Sequence, residues 1–168
     1  MISDLVKNIE PFYVMDILER AKQLESEGRD IVHFEVGEPD LNTPQEICSA
    51  AVRWIEQGYT KYTSSLGIDE LRQSVAEDYS RTYGVEVDYE RVIITIGSSP
   101  ALLLAMLTVL NPGDEILITD PHYACYPQII NVARGVARKI PVYESDGYQL
   151  NPSEVRKNPS PTTRVKCR

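Results

Sequence analysis

One segment, residues 91–101, constrains the fold of this chain more than any other. Val92–Ile96 is typical of a buried strand, Gly97 of a tight turn, and the residues after Ser98 and Ser99 of an apolar helix. A strand that turns directly into a helix points several free backbone N–H groups at one place, which is a favourable site for an anion. The segment therefore predicts a layered fold with an anion site at the start of a helix.

Strand-like and helix-like segments alternate along the rest of this half of the chain. The helix after the glycine turn, Pro100–Leu110, is apolar on almost every face, so we expect it to be buried on both sides. The further predicted strands are Glu115–Thr119, Ala137–Tyr143 and Thr163–Cys167, with helices at Tyr126–Ala133 and from Pro152. This alternation indicates an α/β fold with a mainly parallel sheet and flanking helices.

The N-terminal part of the chain is predominantly helical in pattern. We expect an irregular arm over residues 1–12, an amphipathic helix from Val14 to about Glu27, a short strand at Ile31–Phe34, and helices over about 44–57 and 68–83. A helical N-terminal arm thus precedes the α/β part.

Composition excludes several classes of protein. A formal net charge of -8 argues against general binding of nucleic acid, which requires a basic face. No apolar run approaches the roughly 20 residues that span a bilayer, and the first residues lack the pattern of a secretory signal. The three cysteines have no metal-ligand spacing. We therefore expect reduced thiols, no metal, no membrane contact and a cytoplasmic location.

Two segments have both a structural and a functional interpretation. Gly97-Ser98-Ser99 is either a plain turn with a serine N-cap or a cradle whose N–H and hydroxyl groups bind a phosphate. The glycine patterns of dinucleotide and P-loop sites are absent. Tyr123 and Tyr126, in the loop after the second predicted strand, are either packing aromatics or, in the case of Tyr123, a surface for a flat cofactor ring.

Two loops are open to the same pair of interpretations. Gly37, in Gly37-Glu38-Pro39-Asp40, is either part of a β-turn or a place where bare backbone N–H meets a substrate carboxylate. Tyr62, in Lys61-Tyr62-Thr63, lies in a loop that could have no function. His122 is expected to be an exposed loop histidine without a catalytic role.

Taken together, these segments resemble a known family. The matching blocks are Val36–Asp40, Lys61–Thr63 with Gly67–Arg72, Gly97–Ala101, Asn111–Glu115 and Asp120–Tyr123. In this order and spacing, over nearly the whole chain, they resemble fold-type I pyridoxal-phosphate enzymes, specifically class I/II aminotransferases of the aspartate-aminotransferase-like group. The resemblance implies pyridoxal 5'-phosphate as cofactor. Ser98 and Ser99, beside Gly97, would hold its phosphate, and Tyr123 would stack on its pyridine ring.

The resemblance also implies a partner subunit and a substrate. Tyr62 would reach the phosphate of the neighbouring subunit of a homodimer, and Gly37 would face the substrate carboxylate. The implied reaction moves an amino group between an amino acid and a 2-oxo acid. Residues 1–43 would be the N-terminal arm and a small-domain segment, and residues 44–168 the first part of the cofactor-binding large domain.

Other functional residues of the family have no counterpart in this sequence. The Schiff-base lysine, the aspartate on the pyridine nitrogen and the arginine for the substrate carboxylate would all lie beyond Arg168. We therefore expect a truncated chain, inactive alone, with no catalytic residue of its own. One alternative is a non-enzymatic remnant that binds the cofactor weakly or pairs with an intact homologue. Another is a nucleotide-binding α/β domain, which the missing motifs disfavour.

The resemblance further implies incomplete strand pairing. In the family, the strand corresponding to Val92–Ile96 pairs only with a strand from a later part of the chain. We expect it to lack a neighbour here, and we expect the apolar helix that follows to lose part of its cover. Unpaired strand edges and exposed apolar surface both favour aggregation.

Overall fold

The computed structural model describes residues 2–7, 9–157 and 162–166. The helices are α1 (Asp4–Lys7), α2 (Tyr13–Ser26), α3 (Gln45–Glu56), α4 (Asp69–Tyr83), α5 (Ser98–Val109), α6 (Cys125–Val132) and α7 (Pro152–Lys157). The strands are β1 (Glu115–Asp120), β2 (Val136–Pro141) and β3 (Thr163–Lys166), and short 3-10 turns occur at Tyr89–Arg91 and Glu144–Asp146. The chain divides into two compact units, the sheet unit (Met1–Ile31 with Ile96–Arg168) and the helical unit (Val32–Thr95).

The sheet unit is built on parallel strands in the order β2-β1-β3. Glu115 of β1 lies opposite Val136 of β2, and this register runs without interruption to Asp120 and Pro141. The crossover from β1 to β2 contains α6, as parallel strands require. The predicted α/β class with a mainly parallel sheet is confirmed. Cys167, at the end of the predicted strand Thr163–Cys167, lies outside the described residues.

Both faces of β1 are packed, because consecutive side chains of a strand point to opposite sides. Ile116 lies in a buried cluster with Leu110 and with Ile130 of α6. Its neighbour Leu117 lies in a second cluster on the other face, with Ile140 of β2 and Val155 of α7. Cover on both faces is the usual arrangement for a parallel sheet and explains why this strand is apolar at consecutive positions.

The turn between α5 and β1 contains a buried carboxylate with two hydrogen-bond donors. Asp114 is buried, and its Oδ2 accepts hydrogen bonds from the backbone N–H of Asn111 at 2.8 Å and from the Asn111 side-chain amide at 3.2 Å. The buried carboxylate thus has two donors, and one of them is a backbone N–H in the turn just after α5. This turn fixes where β1 begins.

The helical unit is organised around the buried side chain of Arg72 on α4. Its guanidinium donates to the carbonyl of Val92 at 2.9 Å and to Asp69 at 2.7 Å, and it lies over the ring of Tyr89 at 5.3 Å. The backbone N–H of Ile94 donates to the carbonyl of Leu66 at 3.0 Å. These contacts hold the extended segment 92–95 against α4 and the loop before it.

Two predicted strands are wrong. Residues 92–96 and 31–34 are not in a sheet, although both are rich in β-branched or aromatic residues. A strand needs a neighbour to pair with, and the described part of the chain offers none to either segment. The first segment instead directs its hydrogen bonds to Arg72 and Leu66, as described above. The missing neighbour of Val92–Ile96 is the outcome that the resemblance led us to expect.

The prediction that Pro100–Leu110 is buried on both sides is also wrong. The helix itself is present as α5, but none of its residues is buried, and Leu104 and Leu107 are each 54% exposed. Met106 packs against the cluster around Ile116, so one side of the helix is covered. The side that carries Leu104 and Leu107 is exposed.

Among the described residues, no helix is long and apolar enough to cross a membrane. The same residues contain no group of histidine, cysteine and acidic side chains placed to bind a metal.

Candidate active site

The start of α5 has the geometry of an anion site. The helix begins at Ser98, and Gly97 before it has φ +87° and ψ 177°, a conformation that other residues avoid. Gly97 is thus the N-cap residue, so the alternative of a serine N-cap is wrong. No described side chain caps this end, and both serines are exposed. The first N–H groups of a helix have no partner within it, so this end offers donors and a positive dipole to an anion.

Tyr123 lies in the loop between β1 and α6. Loops at the carboxyl ends of parallel strands are where α/β folds place ligands. Its ring contacts that of Tyr126 at 5.4 Å between centroids, with the planes 71° apart, and it remains 54% exposed. A hydrogen bond with the Cys125 side chain is the main cause that raises the pKa of the Tyr123 phenol above its ordinary value. The hydroxyl therefore stays neutral at physiological pH, and much of the ring is open to a ligand.

The N-terminal arm supplies a neighbour for Tyr123 that the sequence did not indicate. The ring of Phe12 meets the ring of Tyr123 edge to face, with centroids 6.3 Å apart and planes at 67°. The backbone N–H of Glu10 donates to the side-chain oxygen of Gln128 on α6 at 3.3 Å. No periodicity or motif joins residues so distant in the chain. The only signal in the sequence is that Phe12 is one of just two phenylalanines.

His122 is more enclosed than expected. The residue is half-buried, and both ring nitrogens are buried without a hydrogen-bond partner among the described residues. Two hydrogen bonds hold the residues just before His122 next to the strands. Thr119 Oγ1 donates to the carbonyl of Pro121 at 2.8 Å, and the backbone N–H of Val142 donates to the carbonyl of Asp120 at 2.9 Å. The expectation of an exposed histidine is therefore wrong.

The remaining predicted site residues lie in the helical unit. Gly37 is exposed, and a side chain built onto it would meet no atom within 4 Å. Tyr62 is fully exposed. Their predicted roles, toward a substrate carboxylate and a neighbouring subunit, stay predictions, as does the division of domains after residue 43.

A cavity of about 270 Å³ lies between α5, α6 and β1, but its chemistry differs from that of an anion site. Its walls are almost wholly apolar and include Leu102, Met106, Ile118 and Tyr126. Neither Tyr123 nor the serines at the start of α5 belong to its lining. This cavity is an apolar space in the core beside α5, and its lining does not suit a charged ligand.

The residues present fit a phosphorylated, flat cofactor. The start of α5 combines an open N-terminus, a glycine that permits close backbone approach, and two exposed hydroxyls. The loop after β1 adds a partly exposed aromatic ring. In this α/β protein, the start of α5 is a candidate anion site and the loop after β1 a candidate surface for a flat ring.

Comparison with known proteins identifies the family. The family model described as "Aminotransferase class I and II" matches residues 29–167. The chain is 36% identical over 164 residues to a probable aspartate/prephenate aminotransferase of Thermus aquaticus, a match that covers 98% of this chain. It is 44% identical over 130 residues, 77% of this chain, to a (5-formylfuran-3-yl)methyl phosphate transaminase of Methanocaldococcus jannaschii. The chain belongs to the class I and II aminotransferase family.

Solved structures agree. The aspartate aminotransferase of Thermus thermophilus, solved with maleate, superimposes over 97% of this chain with a TM-score of 0.93 and 34% identity. An aspartate aminotransferase of Thermotoga maritima superimposes over 96% of this chain with a TM-score of 0.90 and 30% identity. Members of this family are generally pyridoxal-phosphate-dependent and act on amino acids and 2-oxo acids. The chain spans 43% of the T. aquaticus relative, 35% of the M. jannaschii relative, and 43% of each of these two structures.

Proposed function

We propose that this chain forms the phosphate-binding and ring-stacking part of a pyridoxal-phosphate-dependent aminotransferase. The reaction transfers an amino group between an amino acid and a 2-oxo acid. The observation that carries the proposal is the start of α5 at Gly97-Ser98-Ser99, where no described side chain caps the helix and both serines are exposed, in a chain whose family generally uses this cofactor.

The phosphate is held by groups that are already oriented. Ser98 and Ser99 are the first two residues of α5, so each offers both a backbone N–H and a hydroxyl at the positive end of the helix. Gly97 has no Cβ, which allows the phosphate to approach the backbone closely. A dianion bound here gains charge-assisted hydrogen bonds, which are stronger than neutral ones.

The ring is held by Tyr123, whose neutral phenol and exposed face allow it to stack on a flat heterocycle. When bound, pyridoxal phosphate supplies an electron sink for chemistry at the substrate Cα. The part of this chain is to bind and orient that group and to shield one side of it from water.

The substrate and the partner subunit belong to the same proposal. Gly37 offers backbone N–H to a substrate carboxylate in an open loop. Tyr62 projects fully into solvent, which suits a residue that reaches the phosphate of a second subunit in a homodimer. The two relatives described above carry names with different substrates, so the proposal extends to amino acids and 2-oxo acids as a class.

The test is a binding measurement with pyridoxine 5'-phosphate. This compound keeps the ring and the phosphate but has no aldehyde, so it forms no imine with any lysine. In equilibrium dialysis of the full chain, we expect the Ser98→Ala/Ser99→Ala variant to bind at least about 5-fold more weakly, because two hydrogen bonds worth about 0.5–3 kcal/mol each are lost.

A matched control uses two serines of α4. Ser74 and Ser80 are exposed, and the Ser74 hydroxyl donates to the Glu70 carbonyl of its own helix at 2.8 Å. The Ser74→Ala/Ser80→Ala variant should bind as the parent chain does. No binding by the parent chain, or equal binding by both double variants, would end the proposal.

A further inference from the structure

We propose that Phe12 is a positioning residue for Tyr123, so that docking of the N-terminal arm orients the aromatic surface that receives the cofactor ring. The inference rests on the proposed function insofar as Tyr123 is taken as the ring-stacking residue. The contact between the arm and the loop stands on the geometry of the sheet unit alone.

The first observation is a chain of three aromatic rings. Phe12 contacts Tyr123 and Tyr123 contacts Tyr126, both edge to face, at centroid distances of 6.3 Å and 5.4 Å. Edge-to-face contacts are directional, because the positive edge of one ring meets the negative face of another. Tyr123 is therefore oriented from two sides, by a residue of its own turn and by a residue of the arm.

The second observation is that the arm is held at a few points. Beside the contact of the Phe12 ring, the arm makes a hydrogen bond from Glu10 N–H to the Gln128 side-chain oxygen at 3.3 Å. Between these points the arm and the start of α6 line a cavity of about 470 Å³, whose walls include Ile9, Val14 and Cys125. A segment attached at separate points depends strongly on each of them, so the Phe12 ring carries a large share of the docking.

The third observation concerns what remains to hold Tyr123 without Phe12. Tyr126 follows it by three residues, and its N–H bonds to the Tyr123 carbonyl at 3.0 Å, so that contact moves with the loop. The Cys125 side chain, which raises the pKa of the Tyr123 phenol, lies in the same turn and moves with it. Phe12 is the ring contact that ties Tyr123 to a different segment of the chain.

The experiment compares Phe12→Leu with Phe34→Leu in the full chain. Phe34 is the other phenylalanine and is almost fully exposed, so its replacement serves as a matched control. Two ligands are titrated, pyridoxine 5'-phosphate and inorganic phosphate. We expect Phe12→Leu to weaken binding of the first about 2- to 12-fold and to leave binding of the second unchanged, because only the first needs an oriented Tyr123 ring. Phe12→Tyr, which keeps an aromatic edge, should restore the binding.

Two results would overturn the inference. Equal weakening of the binding of both ligands would show that Phe12 acts only on overall structure, and no weakening of the binding of either would show that it does not act on the site.

A second measurement is independent of the ligand: NMR of the parent chain should give cross-relaxation between the Phe12 and Tyr123 rings, and Phe12→Leu should shift the Tyr123 ring signals. If the parent chain binds neither ligand, the proposed function fails, and these ring signals alone decide the positioning claim. Their absence would refute it.

Discussion

The helices α5 and α6 both have apolar sequences, but only α6 contributes a buried residue to the core. Ile130 of α6 is 1% exposed and packs against Ile116 of β1, while no residue of α5 is buried. The difference lies in the neighbours. The short crossover from β1 to β2 places α6 on the sheet. Only one side of α5, with Met106, packs against this core, and the side with Leu104 and Leu107 is exposed. An apolar sequence pattern indicates that a helix has a surface to bury, but it does not indicate which other element packs against that surface.

The largest test of this comparison is the pair Ile130→Ala and Leu107→Ala. We expect Ile130→Ala to lower the free energy of unfolding by about 2–5 kcal/mol, because it empties a filled site in the core. Leu107→Ala should cost about 1 kcal/mol or less, because its side chain is already half in solvent. Urea unfolding followed by circular dichroism measures both. Similar losses for the two variants would mean that α5 is covered in solution.

A second prediction concerns Gly135, which lies against the packed cluster that contains Leu110 and Ile130. A Cβ at Gly135 would lie 2.7 Å from a methyl of Leu110, 3.1 Å from Ile130 and 3.2 Å from the carbonyl of Asp114. Gly135→Ala should therefore destabilise the chain by about 1–3 kcal/mol through overpacking. Gly37→Ala is the control, since its Cβ would meet nothing within 4 Å and should leave the unfolding midpoint almost unchanged.

A third prediction addresses the exposed side. Leu104→Glu/Leu107→Glu adds charge to an exposed apolar stripe, so it should change the free energy of unfolding by less than about 1 kcal/mol in total and should reduce self-association. Sedimentation velocity at several concentrations gives the association. An unchanged or increased tendency to associate would show that this side of α5 is not the adhesive surface.

The smallest expected effect lies outside both regions, at a contact in the helical unit. The hydrogen bond from His33 Nδ1 to Glu35, at 2.6 Å, is the main cause that lowers the pKa of the Glu35 carboxyl. A lowered pKa means that this contact stabilises the fold above the ordinary carboxyl pKa and that the contribution is lost as the pH falls through the lowered value. An NMR titration of Glu35 should show a lowered pKa in the parent chain and a higher one in His33→Ala; equal values would refute the contact.

The sequence predicts much of the sheet unit because its signals are local. The strands β1 and β2, the turn at Asp114 and the start of α5 after Gly97 all follow from short patterns of apolar residues, glycine and proline. It fails where a structure depends on a distant partner. Val92–Ile96 has the composition of a strand, but pairing requires a neighbour that the described chain does not supply. The contact of Phe12 with Tyr123 arises only when the arm folds back onto the loop.

The account depends most on the start of α5 as the phosphate site, and amide NMR tests it most directly. When pyridoxine 5'-phosphate is titrated into the ¹⁵N-labelled chain, the largest shifts should fall on the N–H groups of Gly97, Ser98 and Ser99, with ring-current shifts at Tyr123. Inorganic phosphate should move the first three and leave Tyr123 in place. Shifts confined to surface lysines and arginines, with the amides at the start of α5 unmoved, would contradict the account.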